Sequence, residues 1–117
     1  MIKKKNFLTV AIDSPAAAGA GTVAKAISKY YNLFYLDTGK IYRFVGMLKL
    51  KNPKNFTYAL IKKKISKLKT KNLQNKSLLN DNVALTASII AKDKKIRKIV
   101  RNFQIRCAYN PPKKYKG

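Results

Sequence analysis

Apolar residues recur along this chain in two rhythms. Residues 7–12 (Phe-Leu-Thr-Val-Ala-Ile) form a short, partly β-branched run closed by Asp13-Ser14-Pro15, the pattern of a buried strand. From residue 22 to 31 the spacing is helical, with Val23, Ala26, Ile27 and Tyr30 on one face. Residues 33–36 predict a second short strand, closed by Asp37-Thr38-Gly39. Thr38 is the expected N-cap of the next helix, whose inner face is Ile41, Val45 and Leu48. Strand, loop, helix, strand, helix is the opening of a parallel α/β sheet.

Beyond residue 50 the rhythm is helical only. Asn52-Pro53 marks a break, after which Leu60, Ile61, Ile65 and Leu68 predict a helix with a strongly basic outer face. Residues 69–80 are polar and poorly periodic and read as a loop with at most a short strand. Asp81 or Asn82 is the expected cap of a helix holding Val83, Leu85, Ala87, Ile90 and Ala91. The last helix is the clearest, because Ile96, Ile99, Val100, Phe103 and Cys107 recur at steps of three and four. Arg97, Arg101 and Gln104 fall off that stripe. Asn110-Pro111-Pro112 ends it, and a basic tail follows.

Composition narrows the chemistry. At 117 residues with 46% hydrophobic content, the chain is one small domain or part of a larger one with a modest core. Its 27 Lys and Arg against 4 acids give a net charge of +23. Such a balance raises nucleic-acid binding, but no RNA-binding aromatic signature, zinc-finger spacing or basic-region heptad accompanies it. The lysines are scattered, as on a solvated surface in a lysine-biased protein. Cys107 stands alone, so no disulfide within the chain can form and a reducing compartment fits. With no histidine, a structural zinc site and His-based nucleophilic triads are both excluded. The basic start followed by residues 7–12 imitates a signal peptide, but the apolar run is short and stopped by Asp13 and Pro15. No run approaches the length of a membrane span.

The chemistry concentrates in residues 9–22, Thr-Val-Ala-Ile-Asp-Ser-Pro-Ala-Ala-Ala-Gly-Ala-Gly-Thr. A Walker A loop needs G-x-x-x-x-G-K-[ST] between a strand and a helix. Here Gly19 supplies the second glycine, while Ser14 stands at the first and Ala20 at the lysine. The backbone cradle survives such changes, since its N–H groups and the helix N-terminus face the phosphates. The lysine's charge does not. Losing a preorganised charge of this kind costs on the order of 10²–10³ in rate.

Taken with Ile12-Asp13, the block Leu36-Asp37-Thr38-Gly39-Lys40-Ile41-Tyr42-Arg43, and the pair Ser88 and Arg97 followed by Gln104, this frame resembles bacterial cytidylate kinase. The family pattern reads I-D-G-P-x-x-x-G-K-[GS]-T, then L-D-[ST]-G-x-x-Y-R, then a helix pair with A-S and V-R ahead of a glutamine. The resemblance runs along essentially the whole chain and corresponds to about the N-terminal half of such an enzyme. It implies an α/β P-loop nucleoside monophosphate kinase fold, a parallel sheet flanked by helices, incomplete here, with a helical monophosphate-binding region. Residues 1–50 would open the P-loop core, 51–92 form the monophosphate-binding region, and 93–117 return to the core and end in the basic tail.

The resemblance also implies roles. Ser14, Pro15, Ala16, Ala17, Ala18, Gly19, Ala20, Gly21 and Thr22 would cradle the phosphates of ATP. Thr38, Tyr42, Arg43, Ser88 and Arg97 would hold CMP or dCMP, Arg43 as a guanidinium fork on its phosphate and Ser88 with Arg97 at the cytosine edge. Asp13 and Asp37 are candidates for orienting backbone or a water on Mg²⁺, and Asp37 reads equally as a strand terminator. No catalytic residue is assigned, because the lysine position is Ala20. The expected activity is transfer of the ATP γ-phosphoryl group to CMP or dCMP in the cytoplasm, weak or absent in this chain. A second polypeptide corresponding to the C-terminal half is a conceivable partner. The rival readings are a basic nucleic-acid-binding module on a dead kinase scaffold and a different monophosphate kinase, such as an adenylate kinase.

Overall fold

In the computed structural model, residues 8–12 and 20–117 are described, Ala20 by its backbone alone. These residues carry five α-helices and two short 3-10 turns: α1 Ala20–Tyr31, α2 Thr38–Lys51, α3 Tyr58–Ser66, the turns Thr70–Gln74 and Lys76–Leu79, α4 Asp81–Ile90 and α5 Lys94–Tyr109. The chain divides into two compact units. One is Asp37–Gln104, and the other joins the residues before it to Ile105–Gly117.

The Asp37–Gln104 unit is helical and holds nearly all of the buried apolar residues. Helix α2 contributes Ile41, Val45 and Leu48, α3 Ile61 and Ile65, α4 Val83, Ala87 and Ile90, and α5 Ile96, Ile99, Val100 and Phe103. Each set recurs every three or four residues, so one stripe per helix faces inward. Helices α2 and α4 make the closest pairing, at a point where α2 carries Gly46 and α4 carries Ala87. Side-chain caps fix the ends. Asp37 Oδ1 accepts from the Gly39 N–H (3.0 Å), Thr57 Oγ1 from Leu60 (3.1 Å) and Asn80 Oδ1 from Asn82 (2.8 Å). Asp93 Oδ1 accepts from Lys95 (2.8 Å) and Ile96 (3.3 Å) at the start of α5.

Two caps lie one residue earlier than the sequence predicts. Asp37, not Thr38, caps α2, and Asn80, not Asp81 or Asn82, caps α4. In each case two adjacent side chains are capable acceptors, and the first to leave helical backbone angles takes the role. Residues 69–80 also differ from the expected loop or short strand. Asn72 Oδ1 accepts from the Lys69 N–H and Asn75 Oδ1 from Ser77, and these local bonds wind the segment into two 3-10 turns. The turns bury Leu73 and Leu78, whose spacing matches neither a helix nor a strand. Leu85 was expected inside and is 64% exposed.

In the other unit, α1 ends where Asn32 adopts a left-handed conformation (φ 55°) and the Leu33 N–H reaches back to the Ser28 carbonyl (2.7 Å). This closes the helix as a Schellman motif with Leu33 buried after it. The C-terminal tail lies along residues 32–34. Lys116 N–H donates to the Asn32 carbonyl (2.8 Å), Phe34 N–H to that of Gly117 (2.7 Å), and the Phe34 and Tyr115 rings lie 5.6 Å apart.

No strand occurs among the described residues. Of the first predicted strand, Phe7 lies outside the described residues, and Leu8, Val10 and Ile12 are exposed. Residues 33–36 are irregular. Two short parallel strands have little stability as a pair, since parallel sheets form where both faces are covered and several neighbours share the ladder. The helical face predicted for α1 is likewise uncovered, with Val23 53% and Tyr30 82% exposed.

Candidate nucleotide site

The expected phosphate cradle is described in part. Asp13, Ser14, Pro15, Ala16, Ala17, Ala18 and Gly19 lie outside the described residues. Ala20 opens α1, and Gly21 and Thr22 follow in its exposed first turn. The first N–H groups of any α-helix lack intrahelical partners, so this turn presents donors of the kind that bind phosphate.

The residues expected around the monophosphate belong to the helical unit. Thr38, Tyr42 and Arg43 all stand on α2, each half-buried. Asp37 precedes them as the cap, so the start of α2 is fixed by its own sequence. Thr38 is held from across the unit, because Gln104 Nε2 on α5 donates to Thr38 Oγ1 (2.5 Å). Arg43 Nη1 donates to the Leu78 carbonyl (3.2 Å) at the second 3-10 turn. A guanidinium carries five N–H donors in a planar fork, so this one contact orients the group without exhausting it.

Ser88 and Arg97 are placed differently. Ser88 is exposed on α4, and its hydroxyl donates to the Leu85 carbonyl one turn back (2.7 Å). Arg97 is exposed on α5; its backbone N–H donates to the Asp93 carbonyl (3.0 Å), and its guanidinium makes no hydrogen bond or ion pair among the described residues. Neither touches the Thr38–Gln104 pair through a described bond. Gln104 carries a contact that its position off the apolar stripe of α5 did not foretell. The usable signal was its place in the family's own pattern.

Asp37 has one carboxylate oxygen committed to capping. Among the described residues no group of three His, Cys, Asp or Glu side chains comes together to hold a metal. No helix among them is long and apolar enough to cross a membrane.

A second polar cluster joins α3 to α5. Tyr58 Oη donates to Asp93 Oδ2 (2.6 Å), and the Lys95 ammonium lies 5.1 Å from the Tyr58 ring centroid. That bond, the largest influence, lowers the Asp93 carboxyl below its usual range, with the Ile96 and Lys95 N–H groups adding to it. The same bond raises the Tyr58 hydroxyl. Burial pushes the Cys107 thiol up, against a smaller opposing effect of Arg106.

The family model for cytidylate kinase matches residues 10–113. A cytidylate kinase from Rhodopseudomonas palustris is 38% identical over 106 residues, covering 90% of this chain and 50% of the relative. One from Paramagnetospirillum magneticum is 38% identical over 104 residues, covering 88% and 49%. One from Listeria monocytogenes is 39% identical over 83 residues, covering 65% and 36%. The chain thus spans about half the length of the first two relatives. No solved structure matches it significantly.

Proposed function

Because the chain belongs to the cytidylate kinase family, whose members imply a P-loop kinase fold, we propose that it carries the monophosphate-binding part of an enzyme that phosphorylates CMP or dCMP. The observation that carries this reading is the block Leu36 to Arg43. Its Thr38, Tyr42 and Arg43 stand on one capped helix, and two of them are tied to other parts of the same unit. In this reading residues 51–92 are the monophosphate-binding region and 93–117 lead back to the core.

Each residue then has a task. Arg43, steadied by the Leu78 carbonyl, turns its remaining N–H groups to the acceptor phosphate, where a fork outperforms a point charge. Thr38 and Tyr42 line the same pocket, and Ser88 and Arg97 read the cytosine edge. Residues 14–22 cradle the phosphates of ATP, the phosphoryl donor, from the backbone and the start of α1. Mg²⁺ enters with ATP as its counterion rather than through a carboxylate cluster of the described residues. With Ala20 at the lysine position, the γ-phosphoryl group lacks one neutralising charge, so turnover by this chain is weak. The parallel sheet forms around residues 7–12 and 33–36 when further strands join them. A polypeptide equivalent to the other half of the relatives would supply those strands and cover the exposed face of α1. The setting is the cytoplasm.

The test is titration of the chain with CMP, AMP and UMP, alongside an assay of CMP-dependent ADP release. Saturable binding that prefers CMP is expected, with release well below the ~1–100 s⁻¹ typical of kinases. Binding to any polyanion, falling steeply with salt and blind to the base, would instead favour a nucleic-acid-binding module. Release at ordinary kinase rates would contradict weak turnover.

A further inference from the structure

We infer that Gln104 is a positioning residue that sets the direction of the Thr38 hydroxyl for the bound nucleotide, an inference that rests on the monophosphate-kinase reading above. Gln104 lies on α5 and Thr38 in the first turn of α2, and the Nε2–Oγ1 bond joins them across 66 positions of sequence. A threonine hydroxyl has one hydrogen to give and two lone pairs to accept with. The amide N–H occupies one lone pair. The hydroxyl hydrogen is therefore turned away from Gln104 and is available to donate.

Two acceptors of the adjoining cap already have partners. Asp37 Oδ1 is engaged by the Gly39 N–H, and the Asp37 carbonyl by the Lys40 N–H (3.1 Å). Both groups are bound within the cap itself. Thr38 is half-buried. An acceptor atom of a nucleotide, a ribose hydroxyl or a phosphate oxygen, is what such a preset donor recognises. Gln104 itself makes no contact with the nucleotide in this scheme. It acts through Thr38, and it fixes the start of α2 against α5 at the same time.

The two effects separate in a double-mutant cycle. CMP affinity and thermal midpoint would be measured by calorimetry on the full chain and on Gln104→Leu, Thr38→Val, the double variant and Gln104→Glu. Gln104→Leu frees the hydroxyl to rotate and is expected to weaken CMP binding about 3- to 10-fold, the scale of one neutral hydrogen bond. On the Thr38→Val background the same change should cost nothing further. Gln104→Glu nearly preserves shape but can only accept when ionised, so it captures the hydroxyl hydrogen. It should weaken binding more than Gln104→Leu, for CMP and for phosphate-free cytidine alike, which separates hydroxyl direction from charge repulsion. CMP binding that Gln104→Leu and Gln104→Glu leave unchanged would overturn the inference alone. So would a loss of equal size with and without the Thr38 hydroxyl, because Gln104 would then act through packing. Absence of CMP binding by the unmodified, folded chain would overturn the kinase reading and the inference with it.

Discussion

Gly46 of α2 meets the backbone of Ala87 on α4 so closely that a Cβ at residue 46 would stand 3.0 Å from the Ala87 nitrogen and 3.0 Å from the Val83 carbonyl oxygen. Both neighbours are backbone atoms within a helix, so neither yields as a flexible side chain would. This contact brings together the helix bearing Thr38, Tyr42 and Arg43 and the helix bearing Ser88.

Gly46→Ala sets two effects against each other. Alanine gains about 1 kcal/mol of helix propensity over glycine, while overpacking a tight core position costs about 1–3 kcal/mol. The expected net result is a loss of about 1 kcal/mol in urea unfolding, and a larger loss for Gly46→Val. A more stable Gly46→Ala would show that α2 and α4 are not held at this distance.

Arg43 has a structural bond and a proposed ligand, and two substitutions separate them. Arg43→Ala should lower stability by about 1 kcal/mol through loss of the bond to Leu78, and should abolish measurable CMP binding. Arg43→Lys keeps the charge but not the fork, so it should retain only part of the affinity. Equal CMP affinity in the unmodified and Arg43→Ala chains would remove Arg43 from the site.

The Tyr58–Asp93 bond makes stability depend on pH at both extremes. The Asp93 carboxyl is lowered in the folded state, so its contribution is present above the unfolded carboxylate pKa. It is lost as pH falls through the folded value, below about pH 4. The Tyr58 hydroxyl is raised, so its contribution is present below about pH 10 and is lost as pH rises through its folded value. Tyr58→Phe should move the Asp93 titration, followed by carboxyl NMR, upward toward the ordinary range and flatten both limbs. An unmoved Asp93 titration would mean that the bond does not form in solution.

Ala20→Lys restores the missing cation of the phosphate loop. A charge-assisted hydrogen bond contributes about 1.5–3 kcal/mol, so binding of a non-hydrolysable ATP analogue should tighten by about 10- to 100-fold. Unchanged affinity would place residue 20 away from the phosphates.

The helical unit was legible in sequence because its helices announce themselves by period. Ile41, Val45 and Leu48, then Ile61 and Ile65, then Ile96, Ile99, Val100 and Phe103 are buried as their spacing required. The 3-10 turns were not legible, since Leu73 and Leu78 sit five apart in a polar segment whose shape is set by asparagine side chains. Cap positions slipped by one residue wherever two capable acceptors stood together, as at Asp37-Thr38. The strands depend on neighbours distant in sequence, and local pattern alone cannot make a ladder. Of the candidate site, the placement of Tyr42 and Arg43 on the helix that follows Asp37 was readable from local pattern. The Gln104–Thr38 bond was not, because it joins two helices whose packing no local rhythm specifies.

The most direct measurement is a residue-resolved NMR titration of the isotope-labelled chain with CMP. Saturable shifts are expected at Thr38, Tyr42, Arg43, Ser88, Arg97 and Gln104, with much smaller shifts for AMP at the same concentration. Shifts that spread over the exposed lysines, follow salt rather than base identity, and spare the start of α2 would contradict a monophosphate site in the helical unit.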